Sequence, residues 1–159
     1  FYRQVRVGRD GKDFRLFKFR SMASGADKKG LITVGAKDSR VTRVGYFLRR
    51  YKLDELSQLL NVVRGEMSLV GPRPEVRKYV DMYTVEQRKV LAVAPGITDY
   101  ASIEYADENT ILGQASDPDR AYVEQIMPDK IRYNMKYIDN RCLKEYFKII
   151  FLTLMKIVK

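Results

Sequence analysis

Hydrophobic and polar positions alternate at the start of the chain, where Val5-Arg6-Val7 and Phe14-Arg15-Leu16-Phe17-Lys18-Phe19 flank Gly8-Arg9-Asp10-Gly11-Lys12. A period of two interrupted by Asp-Gly predicts two short strands joined as a β-hairpin. Residues 21–37 carry Gly25, Gly30 and Gly35 without a period and read as a loop, long enough to be a binding element or lid. The period then becomes helical. Val44, Phe47, Leu48 and Tyr51 recur at i, i+3, i+4, i+7, and Leu56, Leu59, Leu60 and Val63 repeat the spacing. At about 100° per residue the second stripe is rotated roughly 120° from the first. One straight helix would not bury both on one side, so the pattern predicts a break near Lys52-Leu53 and a second helix from about Asp54 to Arg64-Gly65.

Beyond that helix, Pro72 and Pro74 make residues 67–74 an extended, rigid segment. Pro74 then opens a helix over about 75–91, with Arg77, Lys78, Arg88 and Lys89 on its polar face. Pro95-Gly96 reads as a turn. Residues 99–129 are acidic and poorly periodic, with a short helix expected over 119–126 after Asp117-Pro118. The final stretch, 130–159, is helical in pattern. Lys144, Lys148, Lys156 and Lys159 fall within about 120° of one another, with Phe147, Ile150, Phe151, Leu154 and Val158 on the other side. Such a basic amphipathic helix suits an anionic membrane surface, and its apolar face equally suits the protein's own core. The longest nearly continuous apolar run, residues 149–155, is far short of the roughly 20 residues that span a bilayer. The elements together predict one α+β domain over 1–159: a small N-terminal hairpin, several helices including a broken one carrying Asp54-Glu55, and a basic amphipathic C-terminal helix.

Composition narrows the chemistry. Histidine is absent, which excludes imidazole bases, Ser-His-Asp and Cys-His triads, and histidine metal sites. One cysteine, Cys142, excludes an intramolecular disulfide and a thiolate zinc cluster, and fits a reducing compartment. Chemistry must rest on carboxylates, hydroxyls, amines, backbone amides and a hard metal. The net charge of +10 is uneven: residues 1–52 hold 15 basic and 4 acidic side chains, whereas 101–129 hold one basic and 7 acidic. A basic N-terminal part implies a phosphate-bearing partner: nucleic acid, an anionic bilayer or a phosphorylated small molecule.

Asp54-Glu55 is placed where a helix is predicted to begin, near the surface. A helix start offers free N–H groups and positive potential, suiting a carboxylate nucleophile beside a metal-binding carboxylate; acidic residues also favour first turns for capping alone. Lys18 and Arg20 end the second strand, where basic side chains reach a phosphate. Arg49 lies on the turn before Asp54, and Arg73 is held stiffly between prolines, as fixed contact with phosphate oxygens requires.

These pieces fall in a recognisable order: Gln4-x-Arg6-x-Gly8-x-x-Gly11, Lys18-Phe19-Arg20-Ser21-Met22, Arg43-x-Gly45, Leu53-Asp54-Glu55-Leu56-x-Gln58-Leu59-x-Asn61-Val62, Gly65-Glu66-Met67-Ser68-Leu69-Val70-Gly71-Pro72-Arg73-Pro74 and Pro95-Gly96-Ile97-Thr98. The order resembles the bacterial sugar transferase family, the monotopic polyprenyl-phosphate phosphoglycosyl transferases that begin bacterial surface-glycan assembly. The resemblance covers residues 1–98 and, more loosely, 137–159. It implies Asp54 as the nucleophile on the β-phosphate of a UDP-sugar, with UMP leaving and polyprenyl (undecaprenyl) phosphate then taking the sugar phosphate. It implies Glu55 as a Mg²⁺ ligand, and Lys18, Arg20, Arg49 and Arg73 as phosphate or nucleotide contacts. It further implies the cytoplasmic face of the bacterial inner membrane, with an anchoring segment ahead of Phe1 that this chain does not include.

Three positions depart from the family pattern: Ser57 where proline is frequent, Asp99 where glycine is usual, and Tyr146 where aspartate is common. Two rival readings are a module that holds single-stranded nucleic acid on its basic segment and aromatic rings, and an inactive relative that only docks on membranes. The ordered Asp54-Glu55 motif argues against the first, since a nucleic-acid groove gains nothing from carboxylates beside its basic residues.

Overall fold

The computed structural model describes residues 1–26 and 38–158. Strand β1 (Tyr2–Val7) pairs antiparallel with β2 (Asp13–Lys18), Val7 opposite Asp13 and Tyr2 opposite Lys18. Their turn closes because Asp10 (φ 57°) and Gly11 (φ 73°) take left-handed backbone, which Asp tolerates and Gly adopts freely. Of the loop expected over 21–37, residues 27–37 lie outside the described residues. Its start is tied down by a bridge between Met22 and Val41.

Helix α1 (Arg43–Arg50) begins at Thr42, whose hydroxyl accepts the Gly45 N–H at 2.9 Å. Gly45 is required by close approach: a Cβ there would lie 1.8 Å from the Ser21 carbonyl oxygen. The expected break follows. Lys52 turns left-handed (φ 55°), a 3₁₀ segment runs Leu53–Gln58, and α2 (Leu59–Val63) ends before Gly65 at φ 74°.

The two apolar stripes mark these helices but face the opposite way to a core assignment. Val44 is 69% exposed and Val63 86% exposed, and Phe47, Tyr51, Leu56, Leu59 and Leu60 are also exposed. Gly45, Asp54, Ser57, Gln58 and Asn61 face inward instead. The reason is what they pack on. Asn61 accepts the Phe17 N–H at 3.0 Å and donates to the Arg15 carbonyl at 2.9 Å, so a side-chain amide completes backbone groups of β2. Glu66 takes another Asn61 N–H at 2.7 Å and fixes that amide.

Strand β3 (Ser68–Val70) pairs parallel with β4 (Gly96–Thr98), so Pro95-Gly96 opens a strand where a turn was expected. The helix expected over 75–91 is two pieces: α3 (Arg77–Val80), which follows Val76 as its N-cap rather than opening at Pro74, and a 3₁₀ segment Gln87–Ala92. Between them Thr84 and Gln87 cap each other. The Gln87 N–H reaches Thr84 Oγ1 at 3.2 Å and the Thr84 N–H reaches Gln87 Oε1 at 2.9 Å, a reciprocal cap that starts a new segment.

The acidic stretch is more ordered than its pattern suggested. It forms α4 (Tyr100–Glu104), α5 (Glu108–Gln114) and α6 (Pro118–Ala121), and α6 continues through one π-helical turn into α7 (Met127–Asp139). The short helix expected over 119–126 is therefore the start of a longer one. Val76, Tyr79, Leu112, Tyr122, Ile126, Met127 and Ile131 form the main core. The C-terminal stretch breaks at Asn140, and α8 (Leu143–Val158) inserts Ile149 beside Val70 and Tyr137 in a second cluster. Ile150 also turns inward, while Phe147, Phe151 and Leu154 are exposed, so the apolar side read from the wheel is mostly the outer one. Among the described residues no helix is long and apolar enough to cross a membrane.

Candidate active site

Three tethers converge on one point. At the end of β2, the Phe19 N–H donates to the Asp54 carbonyl at 3.0 Å, which pins the strand to the 3₁₀ segment carrying Asp54-Glu55. That contact brings Lys18 Nζ to 3.3 Å from Glu55 Oε1. From the far side, Arg73 grips both Glu55 oxygens: Nη1 donates to Oε2 at 3.0 Å, and Nη2 donates to Oε1. A two-pronged guanidinium–carboxylate pair fixes angle as well as distance.

The loop bearing Arg73 is itself held. The Pro72 carbonyl accepts the Gly96 N–H at 2.9 Å, and the Pro74 carbonyl accepts Arg6 Nη1 at 3.2 Å. Arg6 also pairs with Glu75 at 3.1 Å, and Glu75 accepts the Tyr122 hydroxyl.

Charge in this cluster is strongly coupled. Burial pulls the Glu55 pKa upward, but Arg73 and Lys18 outweigh it and hold the carboxyl well below its usual range. Glu55 raises the Arg73 pKa against the effect of burial, so the arginine stays cationic. Burial lowers the Lys18 pKa, with Glu55 and Asp54 opposing. Asp54 is only 5% exposed, and its carboxylate has no hydrogen-bond partner among the described residues. The site thus sets an unpaired carboxylate beside one that is fully neutralised.

The dyad is not near the surface as expected, and its setting is not the start of a long helix. The Glu55 N–H already bonds to the Lys52 carbonyl at 3.2 Å, and the 3₁₀ segment leads into a helix of five residues. Positive potential at the dyad comes from Lys18 and Arg73 instead. Lys18, Glu55 and Arg73 are brought together with Asp54 alongside, whereas Arg49 and Arg20 bond elsewhere. Arg49 Nε donates to Ser21 Oγ at 3.0 Å, and Arg20, exposed, donates to Ser24 Oγ at 2.8 Å. Sequence reasoning gave no role to Arg6, Asn61 or Asp99. Arg6 and Asn61 lay in the ordered motifs, and Asp99 stood out as a departure.

Among the described residues no three acidic or cysteine side chains cluster as a preformed metal site. Glu55 and Asp54 are the hard oxygens the dyad offers, and both Glu55 oxygens are engaged by cations.

Over residues 1–159 the chain matches, and belongs to, the bacterial sugar transferase family. It is 37% identical over 158 residues to UDP-N-acetylgalactosamine-undecaprenyl-phosphate N-acetylgalactosaminephosphotransferase of Aeromonas hydrophila, covering 98% of this chain and 34% of that protein. It is also 37% identical over 158 residues to the uncharacterized sugar transferase EpsL of Bacillus subtilis, covering 99% of this chain and 69% of that one. A third relative is UDP-glucose:undecaprenyl-phosphate glucose-1-phosphate transferase of Escherichia coli, 36% identical over 162 residues, with 98% of this chain and 32% of that protein aligned. The chain therefore spans about a third of the length of the first and third of these and about two thirds of the second.

Proposed function

We propose that this domain catalyses transfer of a sugar phosphate from a UDP-sugar to polyprenyl phosphate at the cytoplasmic face of a bacterial inner membrane, as a first membrane step of surface-glycan synthesis. The observation that carries the reading is the buried Asp54 carboxylate, without a hydrogen-bond partner among the described residues, beside a Glu55 held by Lys18 and Arg73. An Asp54 oxygen attacks the β-phosphorus of the UDP-sugar, and the bond from that phosphorus to the bridging oxygen breaks. UMP leaves as an anion and needs no proton, in keeping with a chain that has no histidine. An oxygen of polyprenyl phosphate then attacks the same phosphorus. The aspartyl bond breaks, the sugar phosphate leaves on the lipid, and the Asp54 carboxylate is restored.

Lys18 and Arg73 offset the charge of the diphosphate, and Arg20 and Arg49, which bond Ser24 and Ser21, would turn from those hydroxyls to reach the nucleotide. Both Glu55 oxygens are taken by Arg73 and Lys18, so Glu55 would hold a magnesium ion only where the substrate diphosphate draws one of those cations away. Bound there, the magnesium would neutralise developing negative charge. The exposed apolar side chains of α1, the 3₁₀ segment, α2 and α8, bordered by Lys144 and Lys148, suit the surface of an anionic bilayer in which the lipid acceptor resides.

Intact mass spectrometry tests the central step. After incubation with a UDP-sugar and Mg²⁺ without lipid, the wild type gains one sugar phosphate and Asp54→Asn none. Among the described residues the Asp54 carboxylate accepts no hydrogen bond, and Lys18 keeps Glu55 as its ion-pair partner, so the variant keeps its stability within about 1 kcal/mol. A folded Asp54→Asn protein that still gains the adduct refutes the mechanism.

A further inference from the structure

Asp99 is fully buried, with 0% of its surface exposed, and stands at the start of α4. One carboxylate oxygen caps the helix by accepting the Ser102 N–H at 2.6 Å. The other leaves the helix altogether and accepts the backbone N–H of Arg73 at 3.1 Å, from 26 residues earlier in the chain. Because residues 72 and 74 are prolines, Arg73 supplies the one backbone N–H in the Pro72-Arg73-Pro74 stretch. That donor would otherwise be satisfied by water or left open. Capping α4 alone needs a single acceptor, which Ser, Thr or Asn provides as well as Asp. The second oxygen is what distinguishes this residue.

We propose that Asp99 is a positioning residue for Arg73: it fixes the backbone from which the guanidinium reaches Glu55 and, in the reaction proposed above, the substrate diphosphate. Its bond joins two others on the same loop, Gly96 N–H to the Pro72 carbonyl and Arg6 to the Pro74 carbonyl. The three together fix the path of residues 72–74 on both sides of Arg73. A buried carboxylate placed there also adds negative charge near the guanidinium, which favours the cation. Remove the second acceptor and Arg73 keeps its charge and its side chain but loses its fixed origin. The two-pronged geometry is then one of several that the loop samples.

The inference rests on the proposed role of Arg73, so the test separates the two. UDP binding is measured by calorimetry in Mg²⁺ buffer for the full-length protein and for Asp99→Asn, Arg73→Ala and the double variant, with melting temperatures alongside. Asn keeps an acceptor for the helix cap and turns an amide N–H towards the Arg73 N–H. Asp99→Asn is expected to weaken UDP binding about tenfold when Arg73 is present and less than twofold when residue 73 is Ala, while melting falls equally in both backgrounds. Equal weakening in both backgrounds, or none in either, overturns the positioning role and leaves that of Arg73 intact. Arg73→Ala binding UDP as tightly as wild type overturns the role of Arg73 and this inference with it. Should Asp99→Asn fail to fold, Asp99→Ser, which keeps a single acceptor for the cap, is read by the same criteria.

Discussion

Replacing Glu55 with Gln removes one negative charge from a cluster in which Lys18 and Arg73 both depend on it. Glu55 is 15% exposed, and its partners are 20% and 33% exposed, so the three charges are mostly but not wholly withdrawn from water. Breaking a fully buried ion pair costs about 3–5 kcal/mol, because the surviving charge is stranded. Here Gln retains an oxygen for one Arg73 N–H and water reaches the arginine, which brings the expected loss to about 2 kcal/mol. For a chain of this size that is a fall in melting temperature of roughly 4–8 °C. The loss has a pH signature. The folded Glu55 pKa lies below its unfolded value, so the carboxylate contributes its full stability above the unfolded pKa of about 4.3–4.5 and loses it as pH falls towards the folded one. Urea unfolding of wild type and Glu55→Gln at several pH values measures this. The gap between the two proteins should be constant from pH 7 to about 5 and narrow below about 4.5. A Glu55→Gln protein as stable as wild type at pH 7, or a gap that does not narrow in acid, refutes the view that Glu55 anchors the two cations.

Gly45→Ala should destabilise the fold by more than about 2 kcal/mol in urea unfolding, because the new Cβ would lie 1.8 Å from the Ser21 carbonyl oxygen and push α1 off the strand end; a change under 0.5 kcal/mol would show that α1 yields freely. Phe147, Phe151 and Leu154 are exposed, so changing all three to Ser should leave the melting temperature within about 2 °C while sharply reducing co-sedimentation of the domain with anionic vesicles. A large loss of stability would mean that this face is packed against the protein rather than turned to lipid.

The hairpin was legible because its signals are local: alternation on each side and Asp10-Gly11 between, which is the chemistry a tight turn requires. The break at Lys52 was legible for a related reason, since two stripes out of phase cannot share one straight helix. The membership of Asp54, Glu55, Lys18 and Arg73 in one site followed from ordered motifs; local pattern alone gave each an ordinary surface alternative.

Hydrophobic period by itself located α1 and α2 and left open which way they face. That depends on what lies opposite, and here it is the β2 backbone, whose groups are completed by the Asn61 amide, so the polar side turns inward and Phe47, Leu60 and Val63 turn out. The same logic decides Asp99, which in the sequence stands out only as an acidic residue where the family pattern has glycine. It is distinguished by a bond to Arg73 made across the fold. Sequence by itself determined the hairpin and the helix break, because each is set by neighbours within a few positions. The tertiary structure alone decided which faces are buried, that β3 and β4 run parallel, and which cations neutralise Glu55, because those depend on groups that meet only when distant segments pack.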